Sequence, residues 1–303
     1  MIKPTPFSER ESQLLVHADT SVGSFFAMGC PCEVLLETTD PVLAERLLAI
    51  VRDEAWRLEA LWSRYLPTSL VQQLNQAPDK ALSVDAETAK LLDYCEQLWT
   101  LSEGGFDITS GVLREVWHFD GSEGVPDEPV VAAVMQRVGW GRVRWNAPEI
   151  VMQPGMEIDF GGVGKEYAVD RCCQRLRAET VISALVNFGG DCGVSSRTQR
   201  ESGWKIGVEA ATRPGTAGNV LTLREGAVAT SGSTYRYQDH NGQRLGHILD
   251  ARTGWPVRNA PQSVTVTSDS CLEAGMLATL ACLQGADAED WLNDAGVVAT
   301  VQR

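Results

Sequence analysis

No apolar run in this chain approaches the roughly 20 residues needed to cross a bilayer, so membrane insertion is not expected. The segment Met1 to Val22 is polar and mixed, without an apolar signal core or a small-residue cleavage pattern. A cytoplasmic protein is the expectation. Positive charge is scarce: 26 Lys and Arg stand against 40 Asp and Glu, for a net charge of −14. A general nucleic-acid binder would carry a basic face, so no nucleic-acid partner is expected, although a local basic pocket for a phosphorylated ligand is compatible with this balance. Histidine is sparse, with His17, His118, His240 and His247 far apart in sequence. None accompanies Cys30-Pro31-Cys32, the one close non-adjacent pair among eight cysteines, so a zinc site there lacks ligands. The remaining thiols are scattered through apolar elements and read as reduced and buried. Neither a Walker loop nor a Rossmann glycine fingerprint occurs.

What is present reads as α+β. Strand pattern covers residues 23–38, with a bend at Gly29 and Pro31. Asp40-Pro41 opens a long helix, the Asp as N-cap and the Pro at its first position. Its residues Leu47, Val51, Ala55, Leu58 and Leu61 recur at helical spacing. A second helix is predicted over about 85–101 and a short one over 129–138. Short strands are predicted at 142–145, 149–152 and 156–160, and a helix from Lys165 to about Ala178. Strands at 182–188, 203–209, 219–224 and 226–230 come next, then a hairpin over 233–249 turning at Asn241-Gly242. The chain should close with a strand at 263–267, helices at 271–284 and 287–294, and a strand at 297–301. Strands and helices mix without regular βα alternation, which favours α+β over a doubly wound sheet. Residues 1–22 read as an N-terminal extension and 23–303 as one domain.

The densest chemistry lies in Ile158-Asp-Phe-Gly-Gly-Val-Gly-Lys-Glu-Tyr-Ala-Val-Asp170. Asp159 ends a strand-like stretch, Gly161, Gly162 and Gly164 follow, and Lys165 stands at a helix start. Glycines let the backbone approach a ligand, and a helix start offers free N–H groups and a partial positive charge. The combination describes an anion site, of a kind suited to phosphate or pyrophosphate. Four further glycine-flanked clusters punctuate the second half: Asn187 to Asp191, Thr230-Ser231-Gly232, Gly246 to Gly254 with His247 and Asp250, and Gly275 to Thr279. Each alone is compatible with a plain turn. Their recurrence at strand ends, where loops can converge on one cleft, favours function.

The order of these clusters resembles the ApbE-type FAD:protein FMN transferases. The matching stretches are Met28-Gly29; Ser63 to Tyr65 with Leu74-Asn75; Gly105 to Thr109 with Trp117; Ile158 to Asp170; Leu185 to Asp191; Trp204 to Glu209; Ala229 to Gly232; His247 to Gly254; and Ser263 to Val266 with Ala278-Thr279. The resemblance implies two intimately packed lobes of mixed or antiparallel sheet and helices with FAD between them. It implies transfer of the FMN moiety of FAD to a Thr or Ser hydroxyl of an acceptor flavoprotein, with release of AMP and with Mg²⁺ at the pyrophosphate. The acceptor would carry a motif like Asp-x-x-[Ser/Thr]-Gly-Ala-Thr. Carried over by position, Met28, Tyr65, Asp107, Asp159, Lys165, Thr230 and Ser231 would bind FAD. The Gly162 carbonyl and Thr279 would hold the metal, and His247 would act as base with Asp250 as a candidate to orient it. Two positions depart from the family. Gly275 stands where the family has a metal-binding Asp, and Glu166 follows the lysine where Gly is common. Glu166 is therefore a candidate replacement ligand. A non-catalytic FAD-binding protein and an FAD pyrophosphatase yielding FMN and AMP are the alternative readings.

Overall fold

The computed structural model describes residues 10–120, 122, 124–213, 215–234, 236–240 and 243–303. Its centre is an eight-stranded, wholly antiparallel sheet. Across the sheet the strands run Gln13–Val16, Ser21–Ala27, Cys30–Leu36, Ala184–Phe188, Asp191–Val194, Ala227–Gly232, Ser263–Ser268 and Ala299–Gln302. The stretch read as an extension thus supplies the first strand. The stretch read as one bent strand over 23–38 is a hairpin instead. Its two-residue turn, Met28-Gly29, has φ of 51° and 75°. A pair of positive φ values matches the right-handed twist of the flanking strands.

The helices are α1 (Pro41–Trp62), α2 (Leu70–Asn75), α3 (Ala86–Leu101), α4 (Glu128–Met135), α5 (Gly164–Glu179), α6 (Cys271–Leu283) and α7 (Ala288–Asp294). The Asp40 side chain caps α1 as expected, accepting from the N–H groups of Val42 at 2.9 Å and Leu43 at 3.3 Å. Helices α1, α5 and α6 form a layer on one face of the sheet. The core between them includes Val34, Leu36, Leu47, Leu48, Val51, Val169, Leu176, Val186, Phe188 and Ala278, all buried. A Cβ on Gly23 would lie 2.6 Å from a Leu48 methyl, so α1 rests directly on the strand backbone there. On the sheet's other face the ribbon Trp204–Glu209 and Ala217–Leu223 covers Leu185, Cys192, Val194 and Val228.

A separate cluster of Val112, Leu113, Trp117, Phe119, Val134, Val138 and Ala251 builds a smaller lobe. It holds α4 and the loop that follows the hairpin Tyr237–His240 and Gln243–Gly246. The expected turn residues Asn241 and Gly242 lie outside the described residues. The expected strand at 156–160 does not form; only a parallel bridge between Ser110 and Glu157 does. Asn75 occupies the Ile158 backbone instead, donating to its carbonyl at 3.1 Å and accepting from its N–H at 2.8 Å. Among the described residues no helix is long and apolar enough to cross a membrane.

Leu48 is fully buried between α1 and the first hairpin. Leu48→Ala removes its methyls from a site that a rigid sheet backbone cannot collapse to fill. The expected loss is about 3 kcal/mol, read by urea unfolding. A change under about 1 kcal/mol would contradict the direct seating of α1 on Gly23.

Candidate functional site

The turn at Met28 is held from α1. Its N–H donates to Glu59 Oε2 at 2.9 Å, and the buried Glu59 carboxylate is paired with Arg10. The left-handed backbone of a non-glycine residue is thereby fixed by a charge-assisted bond. It aims the Met28 side chain at the start of α5, where a Cβ on Gly164 would lie 3.6 Å from Met28 Cε.

Helix α5 begins directly after the glycine loop. Lys165, in its first turn, forms an ion pair with Asp191 at the start of the neighbouring strand. Burial alone would lower the Lys165 ammonium, but Asp191, with Glu166 adding to it, outweighs that and holds Lys165 charged above the usual lysine range. Asp191 also accepts from the Thr230 N–H at 3.3 Å. The Thr230 hydroxyl meets Thr265 at 2.8 Å, and the Ser231 hydroxyl meets Thr279 of α6 at 2.8 Å. Lys165, Asp191 and the Thr230 backbone form one polar set beside α5, and Ser231 with Thr279 a second one against α6.

Glu166 is 7% exposed and also faces α6. A Cβ on Gly275 would lie 2.6 Å from Glu166 Cγ, 3.2 Å from Cδ and 3.2 Å from Oε1. The Glu166 side chain therefore fills the space that any side chain at 275 would enter. Its Oε2 is buried with no hydrogen-bond partner. Burial, with Asp191 adding to it, pushes the Glu166 carboxyl up to about 7. An orphaned buried carboxylate oxygen is costly unless something positive reaches it. Among the described residues no three His, Cys, Asp or Glu side chains converge as a metal cage.

Arg64, in the turn after α1, reaches the glycine segment. Its guanidinium pairs with Asp159 and lies 5.5 Å from the centre of the Tyr65 ring, which is 66% exposed. Asp159 also accepts from the Gly161 N–H at 2.9 Å, which shapes the loop. Arg64 and Asp191 are site residues that sequence reading left unassigned as such. Arg64 was the unspecified middle residue of Ser63-x-Tyr65, and Asp191 closed a turn motif.

The smaller lobe brings the remaining residues. Asp107 is buried, and its carboxylate is consumed internally: Oδ1 accepts from the Thr109 N–H at 2.7 Å and hydroxyl at 2.6 Å, Oδ2 from the Trp140 N–H at 2.7 Å. Burial makes the Asp107 carboxyl a weaker acid, raising its pKa despite these bonds. Asp107 thus braces the loop under the site. His247 packs edge-on against Phe119 at 6.4 Å, and its Nδ1 is buried without a partner among the described residues. Burial, then the charges of Arg236 and Lys165, lowers its pKa to about 4. Asp250 does not take the orienting role expected for it. Its carboxylate is turned onto Arg252, accepting from the backbone N–H at 2.9 Å, from Nε at 2.9 Å and from a terminal nitrogen at 2.8 Å. An arginine two residues away with a fork of donors outcompetes a neutral imidazole for a carboxylate.

The fold is an antiparallel sheet under three helices with a smaller lobe, and a glycine loop leads into the helix that carries Lys165. The ApbE family matches residues 28–301. The chain is 30% identical over 87% of its length to a Klebsiella pneumoniae FAD:protein FMN transferase, 83% of which is covered. It is 31% identical to a Chlamydia pneumoniae protein of the same name, over 74% of this chain and 72% of that one. The solved ApbE protein of Thermotoga maritima superposes with a TM-score of 0.82 at 26% identity, covering 96% of this chain and 94% of that one. This chain belongs to the ApbE family.

The depressed His247 has a direct consequence. A histidine whose folded pKa lies below its unfolded value costs stability as pH falls from about 6.5 to about 4. Above that window its contribution is fully present. The ring signals of His247 in NMR should titrate near pH 4, and a midpoint at or above 6.5 would place the imidazole in water.

Proposed function

We propose that this protein transfers the FMN moiety of FAD to a Thr or Ser hydroxyl of an acceptor protein. What carries the reading is the likeness to FAD:protein FMN transferases across nearly the whole chain. The geometry supports it. In the reaction, the acceptor oxygen attacks the phosphorus of the FMN half, a P–O bond forms, the pyrophosphate P–O bond breaks, and AMP leaves. Phosphoryl transfer depends on positioning and on neutralising charge. Lys165 supplies a fixed positive charge in a partly buried setting, and the open backbone of Gly161 and Gly162 lets phosphate oxygens come close. His247, neutral and with a free buried nitrogen, suits the role of base for the acceptor hydroxyl. Met28, Tyr65, Asp159, Thr230 and Ser231 would line the FAD site, Asp159 through the loop it shapes. Asp107 and Asp250 would act on loop shape rather than on FAD or His247.

The residues present fit a divalent cation such as Mg²⁺. Glu166 offers the orphaned carboxylate oxygen, Thr279 a hydroxyl and Gly162 a carbonyl. Mg²⁺ commonly binds one or two carboxylates together with substrate phosphates, so one carboxylate suffices. Bound there, the ion would add positive charge at the pyrophosphate. Glu166 would then replace the family's Asp at 275, and the collision between a Cβ at 275 and Glu166 explains why this chain carries one and not both.

The acceptor assay separates the readings. Incubation with FAD, Mg²⁺ and a protein bearing Asp-x-x-[Ser/Thr]-Gly-Ala-Thr should add one FMN to the acceptor by intact mass. Free FMN and AMP without adduct would indicate a pyrophosphatase, and unchanged bound FAD a binding protein. His247→Ala should keep FAD affinity within about twofold and lower transfer by about 10²-fold or more. Transfer at the wild-type rate would remove His247 as base.

The carboxylate exchange has its own signature. Gly275→Asp alone should destabilise the protein by about 1–3 kcal/mol through overpacking. Glu166→Gly combined with Gly275→Asp should regain both stability and Mg²⁺ affinity, read by calorimetric titration in the presence of FAD. Glu166→Gln with unaltered Mg²⁺ affinity would dismiss Glu166 as a ligand.

A further inference from the structure

We propose that Cys30 and Cys32 are a reversible oxidation site, a dithiol converted to a disulfide by low-molecular-weight disulfides, placed beside the Lys165–Asp191 pair. The two residues are i and i+2 of one strand, so their side chains share a face of the sheet. Their Sγ atoms stand 4.0 Å apart. A disulfide needs about 2.05 Å, so rotation of the two side chains must close a gap of about 2 Å. Pro31 between them fixes its own φ and restrains the backbone that sets their separation. Both thiols already point at one acceptor, the Ala27 carbonyl, at 3.5 Å from Cys30 and 3.7 Å from Cys32. The Gly189 turn leaves room beside them: a Cβ there would lie 3.2 Å from Cys30 Sγ.

The two sulfurs differ in the way such chemistry requires. Cys30 is half-buried, and Cys32 is fully buried. The contact with the Cys32 thiol, and then Lys165, hold Cys30 below the usual thiol range despite its burial, while Cys32 is pushed up. Cys30 is the attacking thiolate and Cys32 the resolving thiol. The other six cysteines, at 95, 172, 173, 192, 271 and 282, are all buried, and burial raises each of them. With oxidised glutathione the steps balance. Cys30 sulfur attacks one glutathione sulfur, forming a mixed disulfide and expelling one glutathione thiolate, which takes up a proton. Cys32 sulfur then attacks Cys30 sulfur, and its proton leaves with the second glutathione. Two protein thiols are oxidised and one disulfide is reduced.

The test uses the full chain, folded, incubated with oxidised glutathione, then alkylated and digested with trypsin. The peptide from Glu11 to Arg46 carries Cys30 and Cys32 and no other cysteine. It should lose two hydrogens and both alkylation sites, and regain them after treatment with a reductant. Cys32→Ser should stop at a stable glutathione adduct on Cys30. A wild-type peptide that stays fully alkylated, or that ends as a stable glutathione adduct, would overturn the proposal. Oxidation at the six buried cysteines with this peptide untouched would overturn it equally.

Discussion

The close approach of α5 to α6 at Gly275 is the constraint on which the candidate site rests. With no side chain at 275, the Glu166 side chain lies against the α6 backbone and its carboxylate is buried. One oxygen of that carboxylate has no partner. Burying a carboxyl without compensation is expensive, and the group responds by holding its proton to about pH 7. The same α5 carries Lys165 in the adjacent position, and α6 carries Thr279 one turn beyond Gly275. Packing of two helices therefore brings a lysine and a buried carboxylate on α5 near a hydroxyl on α6. A Cβ at 275 would collide with the Glu166 side chain.

Electrostatics divides the labour between the lobes. The larger lobe holds its charges in pairs, Lys165 with Asp191 and Arg64 with Asp159. The smaller lobe presents an uncharged imidazole beside the Phe119 ring. Burial first, and then the positive charges nearby, keep the imidazole neutral. Those same charges suit the polyanionic half of a dinucleotide. The pairing of carboxylates with Arg64 and Arg252 shows which acids shape loops and are not available as bases.

Much of this was legible in the sequence. Asp40-Pro41 announced α1 through cap chemistry alone, and the glycine cluster ending in Lys165 announced α5. The exchange of residues 166 and 275 was also visible as two departures from one pattern. What stayed hidden depended on tertiary partners. The strand Asp191–Val194 is not anticipated after the one ending at 188, because Gly189-Gly190 break the period, yet these glycines fold the chain back into the same sheet. Residues 156–160 look like a strand by alternation, but Asn75 takes the Ile158 backbone groups a ladder would need. The bracing of Asp107 was likewise hidden, because its three donors come from Thr109 and from a residue 33 positions away.

The most direct test of this account is a crystal structure of the protein with FAD and Mn²⁺, a stand-in for Mg²⁺ that an anomalous difference map locates without ambiguity. The account places a manganese peak against Glu166 and Thr279, beside α6 at Gly275. A peak held by other residues, with the Glu166 carboxylate turned away from it, would contradict the account.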